Sequence, residues 1–303
     1  MADIILHHYD LLPFSEKIRR ILAYKDLPWR SVEQPIMMPK PDLQALTGGY
    51  RRIPVLQIGA DVYCDTACMA RRIEELHPAR PVIPAAQAGL IAIVEDWADH
   101  RLFMQAVPPT LVGLLPNLPA GFIDDRVRMS PAFSQEAVLA AAPQALGQLK
   151  LSLDRLEAQL TGRDFLLGAD FTLADAACHH VVWFTRNNPA VYAEVTARPA
   201  LAAWVARIDG FGPGRPEPLS AADALAIARA ATPAHRDGDP SLSAGESKVG
   251  DEVGITADDY GPEATAGRIT AIAADRITIE RDDAALGAVA VHFPRAGYRV
   301  VRR

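Results

Sequence analysis

The sequence predicts an α/β domain, followed by an all-α domain and a small all-β module. Strand and helix patterns alternate at first, alanine-rich helical spacing dominates from residue 85, and apolar residues alternate with period two after Lys248. The chain has 303 residues, of which 50% are hydrophobic and 22% charged, and this suits a globular protein of about two domains with an ample core. We expect divisions at residues 1–80, 85–235 and 248–303.

The charge and the cysteine content narrow the class of protein. The formal net charge of -6 argues against nucleic acid or an anionic membrane as the main partner. No apolar run is long enough to span a bilayer, and the N-terminal residues lack the basic segment of a signal peptide. The 3 cysteines have no CxxC spacing and are typical of reduced thiols. These features predict a cytoplasmic protein.

The first strands and the helix between them follow from local signals. Residues 4–8 and 29–33 suit short strands, and residues 15–25 have the apolar spacing of a helix. Pro13 punctuates the loop before this helix, and Ser15 is a candidate for its N-cap.

A β-hairpin that leads directly into a helix is the most informative stretch of the chain. Residues 55–58 and 62–64 suit two strands joined by the turn Gly59-Ala60-Asp61. Asp65 and Thr66 can cap the helix that follows.

Pro54 and the helix start together predict a binding cleft. Proline cannot donate to a sheet, so Pro54 must lie at a strand start or edge. We predict a cis Ile53–Pro54 bond, which turns the N–H and C=O groups of Ile53 outward to pair with an extended, peptide-like ligand. The first turn of the next helix offers N–H groups to a carboxylate.

The order of these elements is the thioredoxin-like arrangement, and their motifs resemble the glutathione-binding half of the glutathione transferase family. The similar segments are Ile-Pro-Val-Leu, Gly-Ala-Asp, Cys-Asp-Thr-Ala and the helix start at residues 13–19. The resemblance implies that Ile53, before a cis Pro54, pairs with the cysteinyl backbone of glutathione. It also implies that Asp65 and Thr66 hold the γ-glutamyl end, although the family more often has Glu or Gln at the position of Asp65.

Such a site needs a group that stabilises the glutathione thiolate. In the serine and cysteine branches of the family the donor directly precedes the Pro-aromatic pair, where this chain has Leu12. Ser15 is a candidate catalytic donor or an N-cap, Tyr9 is a candidate donor or a packed aromatic residue, and His8 is a candidate donor or a half-buried strand residue. The backbone N–H groups of Phe14 or Ser15 can also stabilise the anion without a side chain.

The adjacent histidine pairs do not predict a metal site. His7 and His8 lie on a predicted strand, where neighbouring side chains point to opposite faces. His179 and His180 lie on a predicted helix, where neighbouring side chains diverge. We therefore expect no metal.

The second domain is predicted to be a bundle of helices. Residues 85–104 and 131–160 have helical apolar spacing, and Pro108-Pro109 is expected to break the first helix. The stretch from there to Met129 is predicted to be irregular, either covering an electrophile site or forming a packed connection. Four polar residues of the first helix are expected to face solvent, a subunit contact or a ligand cleft. They are Asp96, Asp99, His100 and Arg101.

A second motif supports the same resemblance. Thr172-x-x-Asp175 is a capping box at the start of a very apolar helix, with Phe171 as a hydrophobic staple. It is similar to the start of the core helix in the C-terminal domain of glutathione transferases, where its role is folding. The resemblance covers about residues 1–210.

The remaining residues form an addition to that pattern. One helix at residues 220–231 precedes a polar linker. About five short strands then suit a small SH3-like barrel. The predicted order of the whole chain is therefore a thioredoxin-like α/β domain, an all-α bundle and a small all-β barrel. This module lacks a basic stripe with aromatic residues, so we expect it to dock a partner or a second subunit rather than nucleic acid.

The resemblance implies a homodimeric enzyme that uses glutathione as co-substrate to conjugate or reduce a small electrophile. The alternative is a catalytically weak, transferase-like scaffold that binds a protein partner through the helical domain or the β module. Leu12 and the added module motivate that alternative. A weaker third possibility is a glutathione-dependent isomerase or dehalogenase.

Overall fold

The structure is a computed structural model that describes residues 3–261 and 263–303. The strands are β1 (Ile5–His8), β2 (Pro28–Glu33), β3 (Val55–Ile58), β4 (Asp61–Cys64), β5 (Arg215–Pro218), β6 (Glu252–Ala257), β7 (Thr265–Ile272), β8 (Arg276–Asp283), β9 (Gly287–Pro294) and β10 (Tyr298–Arg302). The helices are α1 (Pro13–Tyr24), α2 (Pro41–Thr47), α3 (Thr66–Leu76), α4 (Ala88–Asp96), α5 (Phe103–Leu114), α6 (Phe122–Val127), α7 (Gln135–Leu160), α8 (Leu173–Phe184), α9 (Pro189–Thr196), α10 (Pro199–Asp209) and α11 (Ala221–Ala230). A π-helical turn, Trp97–Leu102, joins α4 to α5.

The chain forms two compact units. The first takes in residues up to 10, residues 28–72 and residues 215–303, and the second takes in residues 11–27 and 73–214. The first unit contains a sheet in the order β10-β6-β7-β8-β9-β4-β3-β1-β2-β5.

The centre of this sheet is the predicted thioredoxin-like core. Strand β1 pairs in parallel with β2 and antiparallel with β3, and β3 pairs antiparallel with β4 across the predicted hairpin. Ile5, Val32 and Leu56 are fully buried on these strands. Ala224 of α11 packs against Ile5 and Val32, so the segment after residue 215 covers part of this core.

Segments from the C-terminal part of the chain cover both edges of the thioredoxin-like strands. Strand β9 pairs in parallel with β4, with Val62 opposite Val291, and β5 pairs in parallel with β2. The predicted C-terminal strands are present as β6 to β10, in the order β10-β6-β7-β8-β9. The SH3-like form of this module stays a prediction. Strand β5 was not predicted, because Arg-Pro-Glu-Pro has no strand pattern.

The second unit is helical, and the predicted capping box organises it. Asp175 accepts hydrogen bonds from the Thr172 N–H at 2.9 Å and the Leu166 N–H at 2.8 Å, and the capping box at the start of α8 is complete. The Trp204 indole N–H of α10 donates to the same carboxylate at 2.9 Å. One buried carboxylate therefore joins the loop before α8 to α10, and the predicted capping box is confirmed.

Three local predictions in this unit were wrong, one of them the irregular stretch up to Met129, which contains the end of α5 and all of α6. Leu12, not Ser15, is the N-cap of α1, because the helix already begins at Pro13. Pro108 and Pro109 do not break the helix but lie inside α5, where residues Gln105 to Thr110 are buried. The side chain of Asn188 donates to the Pro109 carbonyl at 2.9 Å, and the buried packing outweighs the helix-breaking preference of proline.

Candidate functional site

The predicted binding residues of the first unit meet at one end of the hairpin. The Ile53–Pro54 bond is cis, as predicted, and so is the Met38–Pro39 bond. Val55 opposite Cys64 is the last pair of the β3–β4 ladder. Ile53 and Pro54 therefore lie beyond the ladder at the same end as Asp65 and Thr66. Ile53, Pro54 and Thr66 are buried, whereas Asp65 is partly exposed.

Asp65 caps α3, as the sequence predicted. Its backbone has φ +73°, in the left-handed region that a residue with a side chain seldom adopts. Its Oδ1 accepts from the Ala67 N–H at 2.9 Å, and its carbonyl accepts from the Met69 N–H at 3.1 Å. These contacts hold the carboxylate at the helix N-terminus, where the helix dipole favours an anion.

Two candidate donors lie where β1 ends. Because His7 pairs with Val55 in the β1–β3 ladder, His8 and Tyr9 follow at the same end of the sheet as Ile53 and Pro54. Tyr9 is 9% exposed. The His8 Nε2 lies 2.8 Å from the Ser31 Oγ, and the His8 ring packs edge-on against Trp29. The alternative interpretation of His8 was a half-buried strand residue. The structure instead buries His8 among its own partners.

The third candidate donor belongs to the second unit. Ser15 is the third residue of α1 and is fully buried, and its Oγ has no hydrogen-bond partner among the described residues. The Glu16 N–H makes the first hydrogen bond of the helix, to the Leu12 carbonyl at 3.2 Å. The N–H groups of Phe14 and Ser15 therefore precede the intrahelical ladder and carry the positive end of the helix dipole.

A buried charge network lies below this helix start. The Lys17 Nζ donates to Glu95 at 2.8 Å and to Asp99 at 2.6 Å, and the His180 Nε2 lies 3.0 Å from the other oxygen of Asp99. The His180 ring is 4.8 Å from the Phe14 ring. The π-helical turn before α5 carries Asp99 and so supplies one of the two carboxylates.

The electrostatics of the network keep its charges paired. Burial alone would lower the pKa of Lys17, but the carboxylates of Asp99 and Glu95 outweigh it and raise that pKa. Burial opposes ionisation of Asp99, yet Lys17 and His180 hold its pKa below the usual value. Burial lowers the pKa of His180, so its ring is neutral near pH 7.

Sequence reasoning missed this network, although a signal was present. Lys17 lies with Phe14, Ile18 and Ile21 on one face of the helix, so a lysine interrupts an apolar stripe. A charge in such a position predicts a buried ion pair, but the identity of its partners is not readable from the local pattern.

The remaining sequence expectations concern cysteines, metals and membranes. Cys64, Cys68 and Cys178 are free and buried, and burial raises the pKa of each thiol. Within residues 3–261 and 263–303, no group of at least three His, Cys, Asp or Glu side chains is placed to hold a metal. In the same ranges no helix has the length and hydrophobicity needed to cross a membrane.

Comparison with known proteins agrees with this architecture. Sequence models of the glutathione S-transferase N-terminal and C-terminal domains match residues 6–81 and 137–207. The solved structure of a GST-like protein from Pseudomonas syringae is 39% identical, covers 100% of both chains and superimposes with a TM-score of 0.84. A thioredoxin-like sheet with a helical second unit thus defines the class of protein. The chain belongs to the glutathione transferase family.

More distant structures share the fold. A glutathione S-transferase from Methylobacillus flagellatus with glutathione bound is 18% identical over 71% of this chain and 100% of that chain, with a TM-score of 0.54. The β-etherase LigF from Sphingobium sp. strain SYK-6 is 16% identical over 69% of this chain and 96% of that chain, with a TM-score of 0.55. No curated protein matches the chain.

Proposed function

We propose that this protein is a cytoplasmic glutathione transferase that conjugates or reduces a small electrophile, with glutathione as co-substrate. The observation that carries the proposal is the end of the hairpin, where Ile53 and Pro54 leave the ladder beside the Asp65 cap of α3. A strand end beyond its ladder suits a peptide, and a helix start suits a carboxylate.

The binding roles follow from the chemistry of each group. The N–H and C=O groups of Ile53 pair with the cysteinyl backbone of glutathione. The Asp65 carboxylate binds the α-ammonium group of the γ-glutamyl end, and Thr66 at the start of α3 binds its carboxylate. A charge-assisted hydrogen bond of this kind contributes about 1.5–3 kcal/mol to binding.

Catalysis requires the glutathione thiol to ionise. A thiol with a pKa of about 8.5 is mostly protonated near pH 7, so a donor or a helix dipole must stabilise the thiolate. We assign this role to the N-terminus of α1, with Ser15 or Tyr9 as the catalytic side chain. In conjugation the thiol proton goes to solvent, the sulfur forms a bond to the electrophilic carbon, and the leaving group departs with the bonding electrons.

Glutathione affinity tests the binding half of this proposal. We expect the wild-type protein to bind glutathione in calorimetry, and Asp65→Ala to weaken binding at least tenfold, because the ammonium loses its counter-charge. Asp258→Ala removes an exposed carboxylate of the same unit and is the matched control. If the wild-type protein does not bind glutathione, or if Asp65→Ala binds it as tightly, the proposal is wrong.

The donor is tested separately by the ionisation of bound glutathione. Ser15→Ala and Tyr9→Phe each remove a single hydroxyl. In the variant that loses the donor, we expect the pKa of the bound thiol to rise. A titration of the thiolate absorbance against pH measures this pKa. If neither variant changes that pKa, the backbone N–H groups of Phe14 and Ser15 are sufficient and both side-chain assignments fail.

A scaffold without transferase activity is the competing proposal. The observation that favours it is Leu12 at the N-cap of α1, where no side-chain donor is available. It predicts no turnover with any electrophile, and loss of a protein partner when residues 248–303 are removed. Turnover by the full chain with unchanged partner binding by the truncated chain would refute it.

We also propose that the chain is a homodimer. Leu90, Ile93 and Met104 are 51%, 68% and 43% exposed, and they lie on α4 and α5 at roughly helical spacing. Covering these side chains would remove apolar surface from water. Light scattering is expected to give twice the chain mass for the wild-type protein and the chain mass for Ile93→Glu. A monomeric wild-type protein would contradict the proposal.

A further inference from the structure

The last strand of the chain contacts the residue assigned to the γ-glutamyl end of glutathione. The Tyr298 hydroxyl, on β10, lies 3.2 Å from the Asp65 Oδ2 and donates to it. The same hydroxyl is 3.3 Å from the Tyr50 hydroxyl. Phe293 packs against both tyrosine rings, with centroid distances of 5.9 Å to Tyr50 and 5.4 Å to Tyr298. The contact is thus part of a packed aromatic group.

This hydrogen bond orients the Asp65 carboxylate. Its Oδ1 accepts a hydrogen bond from the Ala67 N–H, and its Oδ2 accepts one from the Tyr298 hydroxyl. A carboxylate has about four acceptor positions, two on each oxygen. Two donors at the two oxygens also oppose rotation of the side chain, which reduces the entropy lost on binding.

Residues between β6 and β7 hold the segment directly before Pro54. Arg52 forms an ion pair with Asp259, and its guanidinium lies 4.0 Å from the centre of the Tyr260 ring. Arg51 pairs with Glu263 at 3.0 Å. Contacts from the part of the chain after residue 248 therefore reach both Asp65 and the segment before Pro54.

We propose that Tyr298 is a positioning residue of the glutathione site, so that the strands after residue 248 complete this site instead of serving only to dock a partner. The proposal rests on the proposed function, since it assigns Tyr298 a role through Asp65. The ligand group concerned is the α-ammonium of the γ-glutamyl end.

The first experiment compares Tyr298→Phe with the wild-type protein. The variant keeps the ring against Phe293 and loses only the hydroxyl. We expect the KM and Kd for glutathione to rise about tenfold, while kcat at saturating glutathione and the melting temperature change little. Val301→Ala, at an exposed position of the same strand, controls for a general disturbance of β10.

A double-mutant cycle then tests whether Tyr298 acts through Asp65. If it does, the double variant Asp65→Ala/Tyr298→Phe binds glutathione no more weakly than Asp65→Ala alone. A glutathione analogue without the α-amino group gives an independent readout, because wild type and Tyr298→Phe should then bind it equally. If Tyr298 had only a structural role, Tyr298→Phe would weaken binding further in the Asp65→Ala background and would also weaken binding of the analogue.

The outcomes separate this inference from the function on which it rests. No glutathione binding by the wild-type protein would overturn both. Binding by the wild-type protein and equal binding by Tyr298→Phe would overturn the role of Tyr298 alone. Additive effects in the cycle, or a fall in kcat and melting temperature with unchanged KM, would also overturn it.

Discussion

At the residue scale, Lys17 shows how a buried charge is kept. It is fully buried on α1, yet two carboxylates lie within hydrogen-bond distance of its Nζ, at 2.8 Å for Glu95 and 2.6 Å for Asp99. The attraction of the two carboxylates offsets the cost of removing the Lys17 ammonium from water, but only while both carboxylates and the ammonium are present. Removing the cation leaves two carboxylates buried beside each other.

We therefore expect Lys17→Met to lower the free energy of unfolding by about 3–5 kcal/mol, measured by urea denaturation. Lys150→Met is the matched control, because Lys150 pairs with Glu194 at 2.7 Å while its side chain is 44% exposed. An exposed pair contributes about 0–1 kcal/mol. Equal losses for the two variants would contradict a special role for burial.

Histidine protonation belongs to the same scale. The His7 Nε2 lies 2.8 Å from the Gln57 Oε1, and the Gln34 amide lies 3.2 Å from the other ring nitrogen. Burial lowers the pKa of His7 to about 4. Burial, with Arg276 and Arg72 nearby, lowers the pKa of His235 to about 3. Both rings are thus neutral in the folded chain near pH 7.

The sign of the resulting pH dependence is fixed. An unfolded histidine has a pKa of about 6.5 and therefore binds a proton more readily than His7 or His235 in the folded chain. The contribution of these two histidines to the free energy of unfolding is therefore complete above pH 6.5 and is lost as the pH falls below that value. His7 alone is expected to cost about 2 kcal/mol of unfolding free energy between pH 7.5 and pH 5. Urea denaturation at the two pH values measures this loss. His7→Gln should reduce this loss.

At the element scale, the pairing of β4 with β9 depends on polar groups as well as on the ladder. Tyr63 stacks on His292 at a centroid distance of 4.3 Å. The His292 Nε2 donates to Asp61 at 2.9 Å, and the Ala234 N–H donates to Asp61 at 2.8 Å. Burial opposes ionisation of Asp61, but these hydrogen bonds outweigh it and lower its pKa. The carboxylate therefore joins β4, β9 and the linker.

Close approach within the C-terminal strands gives a second element-scale prediction. A Cβ added at Gly267, on β7, would lie 2.7 Å from the Glu280 carbonyl oxygen, whereas one at Gly254, on β6, would meet the Ala264 Cβ at 3.7 Å. Gly267→Ala must shift the β8 backbone and is expected to cost about 1–3 kcal/mol.

Gly254→Ala is the control for that prediction, because its contact distance is ordinary and it lies on the neighbouring strand. It should change the free energy of unfolding by less than about 1 kcal/mol. Thermal or urea unfolding of both variants measures the difference. If Gly267→Ala is as stable as Gly254→Ala, the β7–β8 spacing differs from that described.

At the scale of the whole molecule, the sequence predicted the elements better than their partners. Pro54, the Asp65 cap and the Thr172–Asp175 capping box were predictable because each depends on residues close together in the chain. The N-cap at Leu12 was missed because the serine preference outweighed the proline at the first helical position. Its consequence for the candidate site is that Ser15 faces inward as a helical residue instead of capping the helix.

Long-range pairings could not be predicted in this way. Asp65 and Tyr298 are 233 positions apart, and β4 meets β9 across a similar separation. A period-two pattern identifies a strand and its buried face, but it does not specify the strand beside it. The Lys17 network has the same origin, since its carboxylates come from α4 and the π-helical turn, 78 and 82 positions away.

The amino-acid sequence by itself determined the two domain types of the family, the cis proline and the helix caps, because these depend on local sterics and on hydrogen bonds to nearby backbone. Only the tertiary structure decided that C-terminal strands cover the edge of the thioredoxin-like sheet and that Tyr298 reaches Asp65. Burial and pairing between distant segments are set by the packing of the whole chain, and no local pattern encodes them.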